Sequence, residues 1–357
     1  MSLMTRYLIR RISLTTLFTL MALVALFSFF DIINEASDLG KGHYTLGIML
    51  VHVLLQAPGH VYELLPLAVL IGTLVAMSLL ASASEYTVMR ASGVSLWRVG
   101  SILLQVGLGF ALVTLLMGEF IAPKAEQEAE RLKIRATRSV VAQQFNSGSW
   151  MKDDRNFINV REILPDNSLM GVRIYQYDAN LRLIHTRYAE RGHYLGEGAW
   201  QLDKVQDSKI TPTRIVRTEQ ASVVWKSVIR PEILSVLLVV PEQMSGLNLM
   251  AYIEHLKKNS QKTSRYEIAL WGKIFYPLAC LSMALMALAF TPVNRRQGNL
   301  GMQLFIGILI GLTFHFFNRL LGHLGLLYNW WPAAVAILPT LTFLAAGAVL
   351  TTWRERR

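Results

Sequence analysis

Leu64–Ala83 reads LLPLAVLIGTLVAMSLLASA and contains no charged residue. As a helix it rises about 30 Å, the thickness of a bilayer's hydrocarbon core. Five more stretches of similar length and apolarity flank it: Ile12–Ile33, Val99–Ala122, Ile268–Phe290, Gly301–Leu320 and Ala333–Thr352. The whole chain fits this reading. Of its 357 residues, 53% are hydrophobic and 17% charged, against about 25% charged in an ordinary soluble domain. A mean hydropathy of +0.37 leaves more apolar surface than one core can bury, so part of it should face lipid. Residues 124–265 differ, holding 22 of the 35 Lys and Arg. The expected order is membrane, folded extramembrane domain, membrane. The single cysteine, Cys280, rules out an intramolecular disulfide.

Basic residues in short loops stay on the cytoplasmic side of a membrane. With the N-terminus inside, the cytoplasmic segments hold Arg6, Arg10, Arg11, Arg90, Arg98, Arg295, Arg296, Arg354, Arg356 and Arg357. The short outer loops hold only Lys41. Both termini are therefore expected in the cytoplasm and residues 123–265 outside. A signal peptide does not fit the first stretch, whose apolar region is too long and is followed by further spans. The net charge of +11 then has a partly topological origin, and nucleic acid is not an expected partner. Leu46–Ala57 is too short to cross and stops at Pro58; it is either an interfacial helix or an outward extension of the second span. Pro66, Pro277 and Pro339 lie inside spans, where they are expected to kink the helices.

From Phe157 the hydrophobic period shortens toward that of strands. Phe157–Glu162, Val172–Tyr177 and Leu181–His185 around a turn at Asp178–Asn180, then Tyr188–Tyr194, Trp200–Val205, Ile215–Glu219 and Ala221–Val228, form short candidate strands. Their spacing favours a sandwich or jelly roll. The segment has no nucleophile motif, no HExxH and no Cys/His cluster, so neither catalysis nor a metal site is expected. His185, His193 and His255 are scattered. Residues 244–258 return to helical spacing. The mixed charges at Glu126, Glu128, Glu130, Arg131, Lys133, Arg135 and Arg138 read as a solvated helix face.

Asp31, Glu63, Glu119, Lys273, His315 and Arg319 all lie toward the outer ends of their spans, and the span centres carry no charge. A proton-driven carrier needs titratable groups near the midplane, so ion coupling is disfavoured. A polar rim over an apolar bundle suits an amphiphile with its tails in the bilayer. Snorkelling of helix-end charges explains each residue singly just as well. Gly307 and Gly311 form a GxxxG that permits close helix approach. Around them Phe305, Ile306, Leu309, Ile310, Phe314 and Phe317 are suited either to packing or to lipid tails.

Between the second and third spans runs SEYTVMRASGVS, Ser84 to Ser95. It reads as a short helix at about 84–93, with Ser84 as N-cap, Glu85 in the first turn and Gly93 as the stop. Glu85 shares a face with Met89, and Tyr86 with Arg90. Such a helix either docks in a partner's groove or is an ordinary surface element.

This run closely resembles the cytoplasmic coupling helix of the LptF/LptG family, the permeases of the ATP-driven lipopolysaccharide exporter. The resemblance covers the whole chain. RYEIALWGKIFYPLA (Arg265–Ala279) and LYNWWPAAVAILPTLTF (Leu327–Phe343) look like the LptG branch, and NRRQGN (Asn294–Asn299) is reminiscent of the LptF branch. The implied fold is an α-helical membrane protein with six transmembrane helices and an all-β, jelly-roll-like periplasmic domain inserted between helices 3 and 4. Its divisions would be residues 1–122, 123–265 and 266–357.

The resemblance further implies an inner-membrane permease paired with a homologous LptF-like chain on an LptB-like ATPase dimer. Periplasmic LptC-like and LptA-like jelly rolls would receive the lipopolysaccharide. Glu85, with Met89, Arg90 and Gly93 around it, would engage the ATPase. The first and fifth spans would wall a lipid cavity, with Phe30, Ile33, Lys41 and Arg319 joining the fifth-span candidates. No Walker A motif occurs, so ATP and Mg²⁺ would be used by the partner and no cofactor bound by this chain. Family members often carry basic residues where the first span leaves the membrane; here Asp31, Asn34, Glu35 and Asp38 precede Lys41. Headgroup recognition then falls to Lys41, to Arg319, to the second permease or to divalent ions. Two rivals stand beside this reading: a non-transporting membrane sensor or scaffold, and an ion-coupled lipid carrier.

Overall fold

The computed structural model describes residues 3–137, 149–163, 168–178, 182–196, 198–211, 214–227, 229, 241, 244–258, 261–291 and 300–356. Asn294–Asn299, including Arg295 and Arg296, lies outside the described residues, as do Arg138, Asn180, Leu181, Val228 and Arg357. Among the described residues six helices are long and apolar enough to cross a membrane, and a six-stranded antiparallel sheet is inserted after the third.

Helix α1 covers Leu3–Glu35, α2 Leu46–Ser82 and α3 Glu85–Ala91. Helix α4, Leu96–Leu116, passes through a π-turn at Met117–Ile121 into α5, Ala122–Thr137. After the sheet come α6, Gly246–Lys258, α7, Ser264–Phe275, and α8, Ala279–Phe290. Helices α9, Leu300–Leu327, and α10, Pro332–Glu355, complete the bundle.

Residues 46–57 prove to be an extension of the second span, because α2 runs unbroken through Pro58 and Pro66. Pro277 does interrupt its span: a 3₁₀ turn at Tyr276–Leu278 separates α7 from α8. Pro339 is accommodated within α10. The charge run after the third span is not a freely solvated face. Helix α5 packs along α2, with Ala129 and Ala136 buried and Glu126 and Glu130 half-buried.

Helix α2 is the axis of the bundle. Its apolar window is 83% buried, against 11% for α1 and 22% for α9. Leu65, Val69, Met77 and Leu80 of α2 join Leu8 and Ile12 of α1, Leu103 of α4 and Leu288 of α8 in the main core. Helix α9 meets α2 through Gly307 and Gly311. A Cβ at Gly307 would sit 3.0 Å from Ile71 Cγ1, and one at Gly311 would collide with Leu67 Cδ1. At the end of α10, Arg354 donates to the carbonyls of Leu288, Ala289 and Thr291. A cation there satisfies otherwise open carbonyls at the C-terminus of α8.

The strands are β1 Ser149–Asp153, β2 Asn156–Ile163, β3 Leu169–Tyr177, β4 Leu183–Gly196, β5 Ala199–Ile210 and β6 Ile215–Lys226. Each pairs with the next. Residues 188–194 and the described part of 181–185 are thus one strand, as are 215–219 and the described part of 221–228. One face packs Ile158, Val160, Val172, Ala189, Trp200, Leu202 and Val205 into a core. The ends of β1 and β6 meet where Ser227 donates to Asp153 at 2.6 Å.

Candidate coupling helix and rim of the bundle

Helix α3 bridges α2 and α4. Its expected hydroxyl cap is absent: Ser84 holds the N-cap position in the left-handed region, φ 64°, and its side chain makes no capping bond. The stop is built as a glycine stop should be. Gly93 adopts φ 86°, its N–H reaches Arg90 O at 3.1 Å, and Val94 N–H reaches Met89 O at 3.2 Å. This paired arrangement satisfies the last carbonyls of the helix, and a left-handed residue there favours glycine.

Tyr86 is buried in the main core and Met89 packs against it, so one face of α3 seats on the bundle. Burial pushes the Tyr86 hydroxyl above the ordinary tyrosine range. Thr87, Val88, Arg90, Ala91, Ser92 and Gly93 are exposed. Glu85 is half-buried and accepts a hydrogen bond from Tyr7 of α1, Oη to Oε2 2.8 Å. Arg90 Nη1 donates to Val94 O at 2.9 Å. Among the four residues singled out from sequence, Arg90 and Gly93 are open, Glu85 sits at the margin and Met89 turns inward. Val88, 66% exposed, lies at the centre of the open face and was missed; the signal was an apolar residue three positions after Glu85.

The opposite end of the bundle is tied by charge. Lys133 of α5 lies 2.8 Å from Glu35 Oε1 and 2.9 Å from Asp38 Oδ2. Tyr44 donates to Glu35 Oε2 at 3.0 Å. Lys41 pairs with Asp38 at 2.6 Å, and Asp31 pairs with His60. Tyr7 and Glu35 are separated by about 42 Å of α1, at 1.5 Å per residue. The α3 connection and the rim leading to the sheet therefore occupy opposite ends of the bundle.

The π-turn places Glu119 against the start of α6. Its carboxylate accepts from Gly246 N–H at 2.8 Å and Leu247 N–H at 3.2 Å. A carboxylate at a helix N-terminus satisfies open donors and complements the dipole. Lys273 of α7, buried, donates to Gly118 O at 2.7 Å and lies over the Tyr62 ring. The segment returning from the sheet is thus pinned to the third and fourth spans.

On α1, Phe30 and Ile33 are exposed. On α9, Phe305 and Leu309 are exposed, and Ile306, Ile310 and Phe317 are half-buried. Phe314 is buried, edge-on to Phe343 of α10 with centroids 5.1 Å apart. Arg319 is exposed at the same end of α9 as the half-buried Phe317. Phe316, 68% exposed, was not among the expected lipid-facing residues, although it adjoins Phe317, which was.

The model of the family described as lipopolysaccharide export system permease LptF/LptG matches residues 6–353. The chain is 32% identical to the lipopolysaccharide export system permease protein LptG of Escherichia coli strain K12, over 95% of this chain and 94% of that protein. It is 29% identical to the protein of the same name from Haemophilus influenzae, over 87% of each. Matches end to end, on a fold of six apolar helices with an inserted sheet domain, make the chain a multi-pass membrane protein that belongs to the LptF/LptG family of lipopolysaccharide export system permeases.

Proposed function

We propose that this chain is the LptG-type permease subunit of an ATP-driven lipopolysaccharide exporter in the bacterial inner membrane. It pairs with an LptF-like permease on an LptB-like ATPase dimer, extracts lipopolysaccharide from the outer leaflet and passes it to LptC-like and LptA-like jelly rolls. The α3 end, with both termini, faces the cytoplasm, and the sheet domain faces the periplasm. Acyl chains are held at α1 and α9, the two least buried helices of the bundle. Residues 1–122 and 266–357 form the membrane part and residues 123–265 the periplasmic part.

One observation carries this reading: α3 presents an open face at the end of the bundle remote from the sheet, while its Tyr86 face is locked into the core. A push on the open face therefore moves α2, to which α1, α5, α8 and α9 are packed. The need for an outside energy source is physical. Several acyl chains leaving the bilayer cost roughly 0.8 kcal/mol per CH₂, and the sequence contains no Walker A motif.

The test is Glu85→Ala in the assembled permease–ATPase complex in lipid nanodiscs, with ATP hydrolysis and lipopolysaccharide release measured together. Release per ATP should fall at least tenfold while the complex stays folded. Full ATP-driven release would exclude Glu85 from the coupling contact.

A further inference from the structure

Glu85 is the acid of the proposed ATPase contact, and one of its oxygens is already engaged. Tyr7 donates to Oε2 at 2.8 Å; among the described residues Oε1 has no hydrogen bond or ion pair and is available to a cation. The donor comes from α1, 78 residues away in sequence. Its stretch of backbone is anchored: Leu8, one residue on, and Ile12 are buried in the same core as Tyr86.

The two partners are therefore seated on one cluster, and the Tyr7–Glu85 bond links the edges of the two helices beside it. A carboxylate on a flexible two-carbon stem samples several rotamers in water, and fixing one removes that freedom before a partner arrives.

We propose that Tyr7 is a positioning residue for the coupling contact: its hydroxyl fixes the Glu85 carboxylate with Oε1 turned outward for a cationic group on the ATPase, and ties that contact directly to α1. The inference rests on the assignment of Glu85 to coupling made above. It adds a second route from α3 to the membrane. Movement of α3 reaches α1 through this bond, as well as through the α2 axis, so an ATPase that draws Glu85 away also releases the cytoplasmic end of the helix proposed to hold acyl chains.

The experiment is a cycle of Tyr7→Phe, Glu85→Gln and the double variant, in the full permease–ATPase complex in nanodiscs. Each is scored for complex assembly, ATP turnover and lipopolysaccharide released per ATP. Tyr7→Phe keeps the ring and removes one hydrogen bond, so release per ATP should fall about three- to tenfold with assembly retained. In the Glu85→Gln background the same change should have less than a twofold effect, because the neutral amide can still accept from Tyr7 but offers a cation no charge, so its orientation no longer matters.

Unchanged release in Tyr7→Phe overturns the inference, as does a loss that multiplies with that of Glu85→Gln. If Tyr7→Phe does not assemble, Tyr7→Trp, which retains an N–H donor on a ring, decides: restored assembly without restored coupling to Glu85 also overturns it. Normal release in Glu85→Gln and Glu85→Ala would instead defeat the coupling assignment itself, a distinct outcome.

Discussion

Lys133 on α5 and Glu35 on α1 meet at 2.8 Å across 98 residues of sequence. Glu35 also takes the Tyr44 hydroxyl, and Lys133 also contacts Asp38. The pair ties the first span, which packs on α2 but is otherwise largely exposed, to the helix that leads into the sheet domain. Lys133→Ala removes the shared cation and leaves two carboxylates side by side. It should lower stability by about 1–2 kcal/mol, read as a fall in the thermal unfolding midpoint in detergent. Adding Glu35→Gln should recover part of that loss; a strictly additive double variant would show that the two are uncoupled.

Glu119 is expected to act as the cap of α6. Glu119→Ala should cost about 1 kcal/mol and raise amide exchange at residues 246–250, with Glu119→Gln intermediate because an acceptor remains. Hydrogen exchange followed by mass spectrometry reads this directly. Unchanged protection in Glu119→Ala would mean that the cap bonds carry none of the attachment.

The contact of α9 with α2 depends on having no side chain at Gly311. Gly311→Leu should displace Leu67, separate the helices and lose about 2 kcal/mol or more by overpacking. Gly322→Leu is the control, since a Cβ there meets nothing within 4 Å. Thermal stability should fall in the first variant and stay near that of the parent in the second.

Arg354→Ala should free the carbonyls of Leu288, Ala289 and Thr291 and fray the end of α8. The expected result is faster proteolysis next to residue 291 in detergent, with the rest of the bundle intact. Arg354→Lys should restore only part of the protection, because a single ammonium lacks the planar fork whose two nitrogens reach these carbonyls.

The spans were legible because lipid demands some twenty apolar residues in a row, and nothing else in the chain imitates that. Residues 46–57 were ambiguous because Pro58 follows them, and a proline deep in a helix costs less when neighbours close around it. The strands were located, but their lengths were not. Ile184 through Arg191 has no turn residue to break it, so two short candidates are one strand. β1 escaped notice because five residues give too few alternations to establish a period.

The α3 motif was visible in sequence, and its stop at Gly93 has the expected geometry. The hydroxyl cap failed because Ser84, at the junction of α2 and α3, takes a left-handed backbone in place of the extended one an N-cap serine needs. The partner of Glu85 was not legible, since Tyr7 lies 78 residues away and only packing of α1 on α2 brings it near. For the same reason the charges on α5 looked solvated: the face that α2 covers is known only once Gly59 is seen to make room for Glu126.

Coupling through the open face of α3 is tested most directly at Val88. Val88→Cys, with Cys280 buried and out of reach, is treated with a membrane-impermeant maleimide in inverted inner-membrane vesicles, before and after the ATPase is stripped off. Labelling should be blocked while the ATPase is bound and appear once it is removed. Equal labelling in both states, or labelling from the periplasmic side of intact spheroplasts, would contradict an ATPase seated on this helix.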